Sequence, residues 1–207
     1  MKTVAKLFPA LKNFNLPNVI TTIGMIFGIA ACYYLIRGGD YFMQAMICLF
    51  CAGVCDLVDG WFASKLNLQS RFGQAIDSLV DFFICVIMPI WFVHYIVQYD
   101  WPLRIGLVFY CVAGLWRLAY YNINEADKTF TGLPVPGAMM WVVMVTWAIL
   151  YSGFPVWTLT VTFFATGILM LCKFKLSKYG KWQFVLGLLG LGFFVTVVVM
   201  WLISRGA

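Results

Sequence analysis

The stretch that decides the fold covers residues 54–81 and reads VCDLVDGWFASKLNLQSRFGQAIDSLVD. Four of its residues are aspartates, Asp56, Asp59, Asp77 and Asp81, and they lie among residues that are mostly apolar or small. A short polar segment divides the stretch into the end of one apolar run and the start of the next. Because a carboxylate inside a membrane helix is costly unless it is compensated, these four residues are candidates for a functional site.

Helix geometry predicts that the four carboxylates meet. Asp56 and Asp59 are three residues apart, which is about 60° around a helix axis, and Asp77 and Asp81 are four apart, about 40°. Asp59 and Asp77 each lie six residues from the basic residue that borders the loop between the two runs. In two antiparallel helices, both pairs then lie about 9 Å inside the same end and face each other.

The composition places this stretch in a membrane protein. The chain has 207 residues, of which 63% are hydrophobic and 11% charged, against about 45–50% and 25% in ordinary soluble domains. This difference excludes a soluble enzyme, a disordered chain and a secreted disulfide scaffold. The apolar runs are continuous rather than alternating, which favours helices over a β-barrel.

The expected fold is an all-α, polytopic membrane bundle of about seven transmembrane helices, forming a single domain over residues 1–207. A short interfacial amphipathic helix is expected over residues 1–15, where three lysines alternate with apolar residues. The predicted spans follow it along the chain. They are Pro17–Ile36, Tyr41–Lys65, Phe72–Gln98, Pro102–Tyr121, Pro136–Tyr151, Pro155–Cys172 and Trp182–Ile203.

The charge distribution predicts the orientation. With the N-terminus in the cytoplasm, 11 of the 14 lysines and arginines face the cytoplasm, and the exceptions are Arg37, Arg104 and Arg205. The positive-inside rule therefore favours a cytoplasmic N-terminus and a cytoplasmic active site in the cell membrane. The net charge of +6 then reflects orientation and contact with membrane lipids, and no nucleic acid is expected as a partner.

Two features of the cysteines have alternative interpretations. Residues 29–32, Ile-Ala-Ala-Cys, resemble a lipoprotein signal-peptidase site, and cleavage there would remove the first span. Cys48 and Cys51 form a CxxC pair, but no second pair or nearby histidine completes a zinc site. Small residues and cysteines are also ordinary choices in packed membrane helices, and the seven cysteines are expected to be reduced.

The acidic cluster predicts a metal and a class of substrate. Carboxylates this close together repel unless something neutralises them, and all-oxygen ligands favour a hard divalent cation. Mg²⁺ is usually held by carboxylates together with substrate phosphates, so a phosphate-bearing substrate is expected. On each helix, the face that carries the aspartates continues for one more turn with small residues, which are Gly60, Ala63 and Gly73. Small residues there allow a flat ligand or a neighbouring helix to approach.

The pattern Asp56-x2-Asp59-Gly60-x2-Ala63, followed by Gly73-x3-Asp77-x3-Asp81, resembles the signature of the CDP-alcohol phosphotransferase family. This chain departs from that signature at Ser64, where the family has arginine. The segments Pro17-Asn18-x2-Thr21, 115–119 and 132–136 are also similar to family patterns, the latter two to the branch that uses L-serine.

This resemblance implies transfer of a phosphatidyl group from CDP-diacylglycerol to an alcohol, with release of CMP. Asp56, Asp59, Asp77 and Asp81 would hold two divalent ions, Mg²⁺ or Mn²⁺, and Asp81 would be the catalytic general base. The positions that would bind CDP-diacylglycerol include Asp56, with Lys65 or Arg71 supplying the charge missing at Ser64. The others are Asn18, Thr21, Gly60, Ala63, Ser64 and Gly73. The family resemblance also implies a homodimer.

The acceptor is expected to be L-serine, with Arg117 as the residue that holds its carboxylate, because a planar guanidinium suits that group. An interfacial arginine that only reaches toward water is the alternative for Arg117. The other acceptors that stay open are glycerol 3-phosphate and inositol or inositol phosphate, for which the basic loop 173–181 could supply charge. A divalent-cation transporter is a different class with intramembrane acids, but its sites usually lie near the midplane within repeats.

Overall fold

A computed structural model describes residues 13–38, 41–97, 100–123, 129–173 and 175–177, together with six single positions between 192 and 202. The described part is almost entirely helical. The helices are α1 (Leu16–Arg37), α2 (Phe42–Lys65), α3 (Arg71–Asp81), a π-helical turn (Phe82–Ile87), α4 (Met88–Ile96), α5 (Trp101–Ile123), α6 (Val135–Ser152) and α7 (Trp157–Leu171). The all-α membrane bundle predicted from the sequence is confirmed.

Within the described part of the chain, four helical segments are long and apolar enough to cross a membrane. They are Leu16–Arg37, Phe42–Lys65, the continuous segment Arg71–His94 and Trp101–Ile123. Two shorter apolar helices, Val135–Leu150 and Trp157–Leu171, follow. These six segments match the first six predicted spans. The predicted seventh span (182–203) and the interfacial segment (1–15) lie largely outside the described residues, so the count of seven stays a prediction.

Local capping fixes where the helices near the aspartates begin and end. The Asn15 side chain accepts a hydrogen bond from the Asn18 N–H at 3.0 Å, and Pro17 occupies the first turn of α1. Ser70 caps α3 in the same way, with its hydroxyl 3.0 Å from the Gly73 N–H. Asn67, between α2 and α3, adopts a left-handed conformation with φ of 53°. These caps supply partners for backbone groups that a helix end leaves unpaired.

Glycines let α1 approach two neighbours closely. A Cβ at Gly24 would lie 3.1 Å from Cys55 Cβ on α2, and a Cβ at Gly28 would lie 3.0 Å from Ile84 in the π-helical turn. Close approach through small residues is the usual way in which membrane helices pack. Thr21 contacts Asp59 and Gly24 contacts Cys55, so the order of contacts is reversed along the two helices and α1 lies antiparallel to α2.

Several of the largest fully buried side chains lie on α5, α7 and the segment that contains α4. Tyr110, Phe163, Met88 and Phe92 are all fully buried, and the Tyr110 and Phe163 rings meet edge to face with centroids 5.2 Å apart. Large apolar side chains elsewhere point outward, among them Leu57 and Leu79, which are 68% and 71% exposed. Apolar exposure on successive helices is the pattern that a lipid-facing surface requires.

A two-stranded antiparallel ribbon was not predicted. Thr129–Thr131 pairs with Lys175–Ser177, with Phe130 opposite Leu176. The ribbon joins the segment before α6 to the segment after α7. Gly132 has a φ of +79° and lies against carbonyl oxygens at the end of α7, where a Cβ would be 2.5 Å from the Met170 oxygen. The ribbon depends on this close approach, which hydropathy patterns do not report.

Candidate active site

Three carboxylates converge between α2 and α3. One carboxylate oxygen from each of Asp56, Asp59 and Asp77 lies within 4.8 Å of the other two. Asp59 is buried, whereas Asp56 and Asp77 are half-buried. The convergence follows from the helical spacing of each pair and from the short connection that places α2 beside α3.

Asp81 joins the cluster through Asp56. The Asp56 side chain interacts with both Asp77 and Asp81. On its other side, Asp81 Oδ1 lies 3.9 Å from Cys85 Sγ, which is the weak contact of a thiol donor. Three of the four aspartates singled out in the sequence therefore form one cluster, and Asp81 lies beside it.

Thr21 links the first span to this site. Its hydroxyl donates a hydrogen bond to Asp59 Oδ2, and Thr21 Oγ1 also lies 3.1 Å from the Pro17 carbonyl oxygen. Both Thr21 and Asp59 are 5% exposed. A buried hydroxyl beside a carboxylate fixes the direction of that carboxylate, because a charge-assisted hydrogen bond is strongly directional.

Asn18 packs against Gly73 at the start of α3. Its side-chain amide donates to the Asn13 carbonyl oxygen at 2.8 Å. A Cβ at Gly73 would lie 2.9 Å from Asn18 Oδ1 and 3.2 Å from Ser70 Oγ. The glycine is therefore needed for the close approach of α1 to α3, and Asn18 is held at the edge of the cluster.

Open space adjoins Gly60 on α2. Gly60 is exposed, and among the described residues no side chain beyond its two chain neighbours, and no backbone outside its own helical turn, lies within 4 Å of a Cβ placed there. Ala63 is half-buried one turn further on, in line with Asp59. A surface without side chains beside a carboxylate cluster suits a flat ligand, although it also suits a packed helix.

The candidate cations near the signature lie apart from the carboxylates. Lys65 and Arg71 are both exposed, as is Ser64 at the position of the signature arginine. Lys65 Nζ lies 4.3 Å from the centroid of the Trp61 ring. In the described part of the chain, no lysine or arginine forms an ion pair with the four aspartates. The missing signature arginine is therefore not replaced by a direct protein cation at the cluster.

Arg117, by contrast, is buried, and no acidic partner for it is found among the described residues. It is 6% exposed, its Nε has no hydrogen-bond partner, and its guanidinium carbon lies 5.7 Å from the Tyr121 ring centroid. A buried guanidinium without an anion is costly, because its desolvation is not compensated. This environment favours an anion-binding role over an arginine that reaches into water.

Sequence reasoning missed Gln74 and the link between α3 and α5. The Gln74 side-chain nitrogen is buried and has no hydrogen-bond partner. Gln74 precedes Asp77 and Asp81 by three and seven residues, so it lies on the same helical stripe, and that spacing could have revealed it. Ser78 donates a hydrogen bond to Asn122 Oδ1 at 2.9 Å and ties α3 to the end of α5.

The residues present fit a divalent metal ion. The donor set is made only of carboxylate oxygens, which favours hard cations over zinc or copper. The oxygens already lie close to one another without a protein cation to neutralise them. Asp56, Asp59 and Asp77 are therefore the side chains that would bind the ion, with Asp81 beside them.

Fold and site together define a multi-pass membrane protein with an intramembrane carboxylate site suited to a divalent cation. The model of a protein family described as CDP-alcohol phosphatidyltransferase matches residues 14–204. The chain belongs to this family, as the signature predicted, and it is a phosphatidyltransferase enzyme.

Curated relatives carry a more specific name. The chain is 30% identical over 133 residues to a CDP-diacylglycerol–serine O-phosphatidyltransferase of Bacillus subtilis, covering 62% of this chain and 73% of that protein. It is 30% identical over 134 residues to the Helicobacter pylori protein of the same name, covering 62% and 55%. A Methanocaldococcus jannaschii protein of that name is 24% identical over 180 residues, covering 86% and 82%. Against the Helicobacter pylori protein and several further relatives of that name, the match spans only about half of their length.

Proposed function

We propose that this enzyme transfers the phosphatidyl group of CDP-diacylglycerol to the hydroxyl of L-serine, giving phosphatidylserine and CMP. The observation that carries the proposal is the convergence of Asp56, Asp59 and Asp77 within 4.8 Å inside a family member. The names of these relatives, CDP-diacylglycerol–serine O-phosphatidyltransferase, support L-serine as the acceptor. Family membership also favours an enzyme over a divalent-cation transporter.

The four aspartates would hold two divalent ions, Mg²⁺ or Mn²⁺. When bound, such ions stabilise the negative charge that develops on the oxygens of the reacting phosphate. Thr21 supports this role, because its hydroxyl holds one oxygen of Asp59 and leaves the other free to act as a ligand. The interactions of Asp56 with both Asp77 and Asp81 support its role in this donor set.

The CDP moiety would lie along the surface of small residues beside the cluster. The open space at Gly60 and the packed pair Asn18 and Gly73 support this placement. Ala63, Ser64, Lys65 and Arg71 lie on the same end of α2 and α3, where the exposed cations can meet a diphosphate. The acyl chains would remain in the surrounding lipid, because the outer surfaces of these helices are apolar.

Asp81 would act as the general base. Its carboxylate takes the proton of the serine hydroxyl, and the serine oxygen forms a bond to the phosphorus that carries the diacylglycerol. The bond from that phosphorus to the bridging oxygen breaks, and CMP leaves with the electron pair. A serine hydroxyl is a weak nucleophile, so a positioned base increases its reactivity.

Arg117 would bind the carboxylate of serine. Its burial and its unpartnered Nε support this role, since the planar guanidinium binds a carboxylate through two parallel hydrogen bonds. The basic loop 173–181, the alternative source of charge for phosphorylated acceptors, lies mostly outside the described residues.

The enzyme would be a homodimer in the cell membrane. Its N-terminus and active site would lie on the cytoplasmic side, as the positive-inside rule favours.

The test is CMP release by the purified, detergent-solubilised protein. CDP-diacylglycerol is supplied with serine, glycerol 3-phosphate, inositol or inositol phosphate, in the presence of Mg²⁺ or Mn²⁺. Of the four acceptors, we expect only serine to support rapid CMP release. We expect the Asp81→Asn variant to lose activity by at least about 100-fold while retaining its melting temperature. Release that depends on another acceptor would overturn the serine assignment, and an active Asp81→Asn variant would remove Asp81 from the role of base.

A further inference from the structure

A π-helical turn follows Asp81 directly. It covers Phe82–Ile87, and the Met88 N–H bonds to the Phe83 carbonyl oxygen five residues earlier, rather than four. Within the described residues, this is the one interruption of that kind. π-Helical turns are rare, and they occur often at functional sites.

Pro89 explains why the helix widens at this position. Proline has no N–H, and its ring clashes with the carbonyl of the residue four positions earlier, which here is Cys85. The Cys85 carbonyl oxygen therefore has no backbone donor at the usual position. The hydroxyl of Tyr110 on α5 supplies a donor instead, at 2.7 Å.

The Tyr110 side chain is well placed to fix this turn. It is 0% exposed, and its ring packs edge to face on Phe163, so the hydroxyl has little freedom to move. One helical turn further along α5, a Cβ at Gly114 would lie 2.6 Å from Val86 Cγ2. Helix α5 therefore contacts the π-helical turn closely at two successive positions.

The turn also sets how the two halves of the span are rotated. One additional residue in a turn shifts the following side chains by about 100° relative to a regular α-helix. Upstream of the turn, Asp77 and Asp81 face the carboxylate cluster. Downstream, Met88 and Phe92 are fully buried in the core. The widened turn allows both orientations within one continuous span.

We infer that Tyr110 is a positioning residue for Asp81, acting through the Cys85 carbonyl and the turn that Pro89 widens. This inference rests on the proposed function, because it takes Asp81 to be the base. Loss of the Tyr110 hydroxyl removes this donor to the Cys85 carbonyl, so the turn is held less firmly and Asp81 is less well positioned beside Asp56. A displacement of about 1 Å in a catalytic group reduces the rate by about 100-fold.

The experiment compares Tyr110→Phe with Tyr33→Phe. Tyr33 is the control, since its hydroxyl also takes part in one hydrogen bond, which it accepts from Arg37, at the end of α1 that lies away from Asn18 and the carboxylate cluster. We expect Tyr110→Phe to lower kcat about 10- to 100-fold while the KM values for CDP-diacylglycerol and serine stay within about twofold. Hydrogen exchange of the peptide that covers residues 82–90 should become faster in Tyr110→Phe and not in Tyr33→Phe.

The double variant Tyr110→Phe/Pro89→Ala separates positioning from simple stabilisation. Alanine at position 89 restores a backbone donor for the Cys85 carbonyl, so a regular α-helical turn can form. We expect thermal stability to recover and kcat to remain low. Recovery of kcat together with stability would overturn the inference, as would an unchanged kcat or unchanged exchange in Tyr110→Phe. If the wild-type protein releases no CMP, that result contradicts the proposed function. In that case, hydrogen exchange still tests whether Tyr110 holds the turn.

Discussion

The hydroxyl of Thr21 on the first span donates a hydrogen bond to Oδ2 of Asp59 on the second span. Both side chains are 5% exposed. This bond connects two helices at the depth of the carboxylate cluster and fixes the orientation of one of its members. The first span therefore takes part in the site, although it carries none of the four aspartates.

Replacing Thr21 with valine should weaken the metal site while keeping the shape of the side chain. A hydrogen bond to a charged group contributes about 1.5–3 kcal/mol, which corresponds to roughly a 10- to 100-fold loss of Mn²⁺ affinity. Binding can be followed by electron paramagnetic resonance of free Mn²⁺. Thr162→Val is the matched control, because its hydroxyl bonds only to a backbone carbonyl in α7. Equal Mn²⁺ affinity in both variants would contradict the role of Thr21.

Gly73→Ala should disturb the packing of α1 on α3. The new methyl group would lie 2.9 Å from Asn18 Oδ1 and 3.2 Å from Ser70 Oγ, and forced overpacking typically costs about 1–3 kcal/mol. We expect a lower melting temperature and a higher KM for CDP-diacylglycerol. Shortening Asn18 to alanine in the same chain should restore the melting temperature but not the KM. A variant with normal stability and normal KM would show that this contact is not needed.

Gly60→Ala and Gly53→Ala provide a matched pair on α2. At both positions, an added Cβ meets no atom of another described segment within 4 Å, and alanine favours a helix by about 1 kcal/mol relative to glycine. Both variants should therefore be at least as stable as the wild type. Only Gly60→Ala should weaken binding of a cytidine nucleotide, because its methyl group would enter the proposed ligand space. The placement of the nucleotide would be wrong if the two variants bound it equally well.

Removal of divalent ions should abolish transfer. Chelation by EDTA is expected to stop CMP release, and Mg²⁺ or Mn²⁺ should restore it, since the carboxylates then regain the cation they are suited to hold. Asp56→Asn should raise the metal concentration required by at least about tenfold. Asp100→Asn is the control, because Asp100 caps α5 away from the cluster and asparagine caps helices equally well. Full activity in EDTA would rule out a metal-dependent reaction.

Arg117→Lys should raise the KM for serine about tenfold and leave the KM for CDP-diacylglycerol within about twofold. Lysine keeps the charge but loses the planar pair of donors that matches a carboxylate. Steady-state kinetics with each substrate varied in turn will show the difference. The control is Arg104→Lys, an exposed arginine whose guanidinium lies 5.1 Å from the Trp101 ring. An unchanged KM for serine would leave Arg117 with a structural role only.

Much of this fold could be predicted because hydropathy and helical periodicity are local properties. The first predicted span, Pro17–Ile36, became Leu16–Arg37, and the second, Tyr41–Lys65, became Phe42–Lys65. The meeting of Asp56, Asp59 and Asp77 could also be predicted, since their spacing within each helix and the short loop between the helices leave little freedom. The third predicted span ran unbroken from Phe72 to Gln98, and the prediction did not include the π-helical turn that precedes Pro89.

The sequence alone determined that this chain is a helical membrane protein, that it carries an acidic signature, and which family it belongs to. These conclusions follow from composition and from spacing along single helices. Only the tertiary structure decided that Thr21 bonds to Asp59, that Asn18 packs against Gly73, and that the Tyr110 hydroxyl donates to the Cys85 carbonyl. Each of these contacts joins residues from different helices, and it depends on how the helices are rotated and how closely their small residues let them approach. Side-chain packing sets both quantities, and no local pattern in the chain encodes them.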